Sequence, residues 1–187
     1  MIRLTACDDL FSLEDLAQRI RASSNFNFAW QFYHFAGFDP RSTNDVLAAV
    51  DAIVADSNLH RFLRDSFQPI YDLKFEIEPR HEHCKIAPAT GKLEEILAQA
   101  AADHLGAYSK LMDATASEKQ AIQKLFGQAG PYIAYELQPG DVPGCKKCGN
   151  YSVIFTNWFY SVAWDWCLMA IWPDIELLWV GCLTDTD

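Results

Sequence analysis

Leu13, Leu16, Ala17 and Ile20 recur three or four positions apart in an otherwise polar stretch, the spacing of one helical face. Ser12, followed three residues later by Asp15, imitates a capping box at its start. From Asn25 to Phe38 the pattern thickens: Phe26, Phe28, Trp30, Phe32, Tyr33, Phe35 and Phe38 are more rings than one face of a helix or strand holds, and Gly37 and Pro40 close the run. The segment is read as helix. Ser42-Thr43-Asn44-Asp45 then offers N-cap chemistry ahead of Val46, Leu47, Val50, Ile53 and Val54, which predicts a second amphipathic helix. A further helical turn is expected from Asn58 to Phe67, stopped by Pro69.

Tyr71, Leu73, Phe75 and Ile77 alternate with Asp72, Lys74, Glu76 and Glu78, the period of two of a strand wetted on one side, hence a sheet edge. A loop follows from His81 to Gly91. Leu93, Ile96, Leu97, Ala100, Ala101 and Leu105 then restore a helical stripe, and another runs from Ser117 through Ile122 and Phe126 to Gly127 as a C-cap.

Beyond residue 130 the pattern changes to short β-branched and aromatic runs bounded by turn residues. Strands are predicted near Tyr132 to Gln138, Tyr151 to Thr156, Trp164 to Trp172 and Glu176 to Leu183, with Pro173-Asp174 turning the last hairpin. In the third of these, Trp164, Trp166, Leu168, Ala170 and Trp172 share one face and Cys167, Met169 and Ile171 the other, so the strand is expected at the centre of its sheet. The fold class expected is α+β: a mostly helical N-terminal two-thirds, residues 1–130 with one edge strand, packed on one side of a C-terminal antiparallel meander, residues 131–187. No repeat or linker divides the chain, and its 187 residues fit one domain.

Charge narrows the function. Fifteen basic residues against 25 acidic ones give a net charge of -10. Nucleic-acid binders gain their affinity by neutralising phosphates with Lys and Arg, so nucleic acid is not the expected partner and a basic protein is. The deficit is steepest after Pro131, where Lys146 and Lys147 are the last bases. Arg3, Cys7, Asp8 and Asp9 interrupt the N-terminus where a signal peptide needs an apolar run, and no stretch reaches the about 18 apolar residues of a membrane span. A cytoplasmic protein without membrane contact is expected, and in a reducing compartment its six cysteines read as thiols or metal ligands.

Cys145-Lys146-Lys147-Cys148-Gly149 has the shape of one zinc-ribbon knuckle: two thiolates on a tight turn, with a glycine to fold the backbone beneath a tetrahedral ion. One knuckle supplies two of four ligands. Cys84 and one of His81 or His83 are the candidates for the rest, giving one structural zinc that would hold the loop from Gln138 to Asn150. An unliganded turn explains the same cysteines equally well. His81-Glu82-His83 beside Pro143-Gly144-Cys145 has an outline of the nucleobase-deaminase signature, but Arg80 stands where a ligand histidine is needed and Gly144 separates the proline from the cysteine. No catalytic residue is assigned. The alternative function is a small zinc-dependent hydrolase with Glu82 as general base.

Cys7, Cys167 and Cys182 read as small apolar residues, and His34, His60 and His104 as isolated residues on helices. Asn157 to Ser161 falls between strands, where Trp158, Phe159 and Tyr160 would be exposed unless covered. Rings of this kind beside Asp165, Asp174 and Glu176 compose the expected contact surface for a basic partner.

The run from Trp164-Asp165-Trp166 through Trp172-Pro173-Asp174 and Leu177-Leu178-Trp179-Val180 to the terminal Gly181-Cys182-Leu183-Thr184-Asp185-Thr186-Asp187 resembles the ends of small bacterial immunity proteins encoded beside polymorphic or contact-dependent toxins. The resemblance covers about the last 30 residues, together with size and acidity. It implies a cytosolic protein that binds one cognate toxin domain, often a basic nuclease, and blocks it.

Overall fold

The computed structural model of the chain describes residues 2–23, 27–54, 84–102, 108–139 and 166–184. In chain order these form β1 (Arg3–Cys7), α1 (Glu14–Ser23), β2 (Asn27–Ala36), α2 (Thr43–Val54), β3 (Cys84–Pro88), α3 (Lys92–Ala102), α4 (Tyr108–Gly127), β4 (Ile133–Pro139), β5 (Trp166–Trp172) and β6 (Leu177–Thr184). The six strands make one sheet in the order β1-β2-β6-β5-β4-β3, antiparallel at every junction.

The class is α+β, but the expected division of the chain is wrong. Helices do not fill the N-terminal two-thirds: β1, β2 and β3 all come from it, and β2 pairs with β6 so that Trp30 lies opposite Gly181. The aromatic run read as helix is β2. Its period of two is hidden because both faces are covered: Phe28, Trp30 and Phe32 are buried on one face, Ala29, Tyr33 and Phe35 on the other. Helices flank the sheet on two sides rather than one, which permits apolar side chains at consecutive positions.

On the first face, Leu13 just ahead of α1, Leu16, Ala17 and Ile20 of α1, Leu93, Ile96 and Leu97 of α3, and Ile122 and Phe126 of α4 pack on Phe32, Leu168, Trp172 and Trp179. On the second, Val46, Ala49, Val50 and Ile53 of α2 pack on Tyr33, Cys167, Met169, Leu178 and Val180. β5 is buried from Cys167 through Trp172 and lies between β4 and β6, as its two-sided hydrophobicity predicts. Each buried Val, Leu, Ile, Phe or Met side chain among them contributes about 1.5–3 kcal/mol relative to an exposed one.

Polar atoms tie the layers together. The buried Trp172 indole N–H donates to the Phe126 carbonyl at 3.1 Å, satisfying one of the free carbonyls at the end of α4. Tyr135 donates its hydroxyl proton to the Pro40 carbonyl at 2.8 Å, fixing β4 to the entry of α2. That helix begins where the sequence places it, with Ser42 Oγ accepting the Asp45 N–H at 3.3 Å. The hairpin between β5 and β6 turns through Pro173–Ile175, with Glu176 left-handed at φ 51° and its carbonyl accepting the Phe35 N–H at 2.9 Å.

The expected loop from His81 to Gly91 contains β3, whose Cys84 lies opposite Pro139 of β4. Short and placed at the end of the sheet among the described strands, β3 carries too few residues for its pattern to stand out. β1, the other edge, is half exposed and was not anticipated. The turn at Asn58 to Phe67, the strand at Tyr71 to Glu78 and the strand at Tyr151 to Thr156 lie outside the described residues. Among the described residues no helix is long and apolar enough to cross a membrane.

Candidate functional site: an acidic cleft beside the first strand

The chain leaves β1 at Cys7 and climbs over the first face of the sheet before entering α1. Asp8 and Asp9 form the bend, and Phe11 drops into the core against Phe32, with ring centroids 5.3 Å apart. Ser12 Oγ accepts the Glu14 N–H at 3.4 Å, and Glu14 and Asp15 occupy the first helical turn, where the helix dipole favours negative charge. Between this bend and the start of β2 lies a cleft of about 420 Å³ lined by Cys7, Asp8, Asp9, Glu14, Arg21, Phe28, Trp30 and Gln31.

Trp30 forms its inner wall. Its indole N–H donates to Asp9 Oδ2 at 2.9 Å, which fixes that carboxylate, while Phe28 lies beside it at a centroid distance of 5.1 Å. Gln31 donates to the carbonyls of Cys7 at 3.1 Å and Phe32 at 3.0 Å, holding the β1 end in place. Partial burial pushes the Asp9 carboxyl above its ordinary 3.8; the Trp30 hydrogen bond opposes this, and the neighbouring charges of Glu14 and Asp8 add to it. Burial likewise raises the Cys7 thiol, against the backbone hydrogen bond from His34 and with Asp8 and Asp9 adding to the rise. A thiol held up in this way is a poor nucleophile. Three carboxylates, Asp8, Asp9 and Glu14, against one guanidinium, Arg21, leave the cleft negative on balance over an aromatic wall, a surface complementary to an ammonium or guanidinium group.

A second polar cluster lies beneath α3. Tyr132 donates to Oε1 of the buried Glu94, and Lys92 Nζ meets Glu136 Oε2 at 2.5 Å. Burial, together with the hydrogen bond and charge of Glu94, drives the Tyr132 phenol far above its ordinary range, so it remains a donor. Tyr132 also packs on Trp172 at a centroid distance of 5.6 Å. This arrangement anchors the start of α3 to the sheet.

Of the residues expected to meet a partner, Asp174 and Glu176 are exposed in the turn between β5 and β6, on either side of Ile175, which is 42% exposed. Trp158, Phe159, Tyr160 and Asp165 lie outside the described residues. The tryptophans of the tail that are described face inward: Trp172 and Trp179 are fully buried and Trp166 packs against the first core. Of the candidate metal ligands, Cys84 begins β3, while His81, His83, Cys145 and Cys148 are outside the described residues. No group of three or more metal-ligating side chains occurs among the described residues. His34, expected on a helix, is exposed on β2.

The cleft itself escaped the sequence reading. Its signal was present: Asp8, Asp9, Glu14 and Asp15 fall between Arg3 and Arg19 with no base among them. Neither a scan against protein-family models nor a search of curated proteins gives a match to this chain.

Proposed function

We propose that the chain is an acidic binding protein of the immunity type, which neutralises a cognate basic toxin domain by covering it. The observation that carries this reading is the cleft in which Asp8, Asp9 and Glu14 outnumber Arg21 beside a Trp30 wall, on a protein of net charge -10. Negative charge steers a cationic partner to the surface and speeds encounter, and an aromatic wall gives a docked arginine or lysine side chain a place to pack. The exposed Asp174-Ile175-Glu176 turn supplies a second acidic contact with an apolar centre.

The test is co-expression with the basic domain encoded beside the chain's gene. Growth rescue and a 1:1 complex support the reading. In the Asp8→Asn, Asp9→Asn, Glu14→Gln variant the association rate should fall by about tenfold at low salt, with a weaker dependence on ionic strength. Rescue with no physical complex, or turnover of a small molecule by the purified chain, would overturn the proposal.

A structural zinc belongs to the same reading. The register of β3 against β4 puts Cys84 opposite Pro139, from which the sequence runs on to Cys145 and Cys148. Metal analysis of the purified chain tests it: one equivalent of zinc, lost in Cys145→Ser with toxin binding intact, is the expected result.

A further inference from the structure

β5 and β6 each carry one cysteine on the face that looks toward α2, and the register sets them directly opposite one another as Cys167↔Cys182. Neither is in a disulfide, each is 1% exposed, and their sulfurs are 3.8 Å apart. Residues directly opposed in an antiparallel pair have Cα atoms about 4.5–5.5 Å apart, within the span of about 4.4–6.8 Å that a disulfide bridges. Bond formation needs the sulfurs to approach to about 2.05 Å, a movement that side-chain rotation supplies.

We propose that Cys167 and Cys182 are a latent disulfide, a redox lock on the central hairpin. Their position favours this role. The Pro173–Ile175 turn closes one end of the hairpin, while the cysteines occupy the last rung but one at the other end. A bond there fastens the open end of the two strands on which the sheet is centred.

The oxidant is a peroxide. One thiol releases its proton and its sulfur attacks a peroxide oxygen; the O–O bond breaks, the departing hydroxide takes up that proton as water, and the sulfenic acid remains. The second sulfur then attacks the sulfenyl sulfur; the S–S bond forms, and the displaced hydroxide takes the second thiol's proton and leaves as water. The two sulfurs together lose the two electrons that reduce the peroxide. Because both thiols are buried, the reaction proceeds from a locally opened sheet and its rate follows that opening. Once closed, the bond is reduced only as fast as the sheet opens, by the same burial.

The experiment uses the full chain, reduced and then exposed to hydrogen peroxide. Trypsin leaves both cysteines in one peptide because Lys147 is the last base, whereas cleavage after Glu176 separates them. The expected product is a pair of peptides joined through Cys167 and Cys182, two hydrogens lighter than the reduced pair. It should form several-fold faster in sub-denaturing urea, and the oxidised chain should unfold at higher urea than the reduced chain, a shift reversed by dithiothreitol. Cys182→Ala should abolish the shift. If that variant does not fold, the peptide map and the paired midpoints of the unsubstituted chain decide alone. Absence of the joined pair even where urea opens the sheet, linkage of Cys167 to another cysteine, or a joined species no more stable than the reduced one would overturn the proposal.

Discussion

The Trp179 ring occupies the space into which a side chain at Gly181 would project. A Cβ built on Gly181 would fall 2.3 Å from two carbons of that ring and 3.2 Å from Phe28. The two residues sit two apart on one face of β6, so the glycine is the gap that lets a buried indole lie along its own strand. Gly181→Ala is expected to destabilise the fold by about 1–3 kcal/mol, the cost of overpacking a filled core. Urea unfolding measures it, and a double-mutant cycle with Trp179→Leu should be strongly non-additive because the clash disappears with the ring.

Tyr132→Phe removes the hydroxyl that serves buried Glu94. A loss of about 1–3 kcal/mol follows from leaving a buried acceptor without its donor. The pH dependence has a definite sign. The folded phenol holds its proton more tightly than the unfolded one, whose ordinary value is 10.0, so its contribution is full below that pH and is lost as pH climbs above it. The gap between the unsubstituted chain and Tyr132→Phe should therefore narrow above pH 10.0 in denaturant titrations.

Trp30→Phe tests the cleft. The indole N–H is the contact that holds the Asp9 carboxyl down against burial and the charges of Glu14 and Asp8. Without it the Asp9 carboxyl should titrate at still higher pH, read by NMR of the side-chain carbon. Since the native value already lies above 3.8, folding favours the protonated form, and this group's contribution to stability diminishes as pH rises through its titration. An Asp9 titration that stays put or moves down in Trp30→Phe would remove the indole from its assigned role.

Glu176 has a left-handed backbone at φ 51°, a conformation that costs an ordinary residue about 1–2 kcal/mol. Glu176→Gly should raise the melting temperature by a few degrees, offset in part by the freedom glycine gains in the unfolded chain. The two hydrogen bonds of its backbone, to Pro173 and from Phe35, need no side chain and should persist. A lower melting temperature would show that the carboxylate stabilises the turn.

How much of this could be read from the residues depends on exposure. The turn at Pro173-Asp174, the central place of β5 and the cap of α2 were legible because each has a local cause: a proline, a two-sided apolar run, a serine before a helical stripe. β2 was misread because covering both sheet faces erases alternation, leaving Phe28, Ala29 and Trp30 equally apolar in sequence. β1 and β3 were missed because edge strands of five residues offer little pattern. The acidic cleft was hidden for another reason: it joins the bend at Asp9, just after β1, to Trp30 on the neighbouring β2, 21 residues on, and neither residue is distinctive alone.

The junction between β2 and β6 has a consequence for how the protein is made. β2 leaves the ribosome early with both sides apolar, yet the strand that covers its inner flank emerges only after almost all the intervening chain. During that interval a sticky ribbon waits without its neighbour, exposed to misassociation. A nascent chain stalled before Leu177 should for this reason be a strong client of chaperones that shield extended apolar segments.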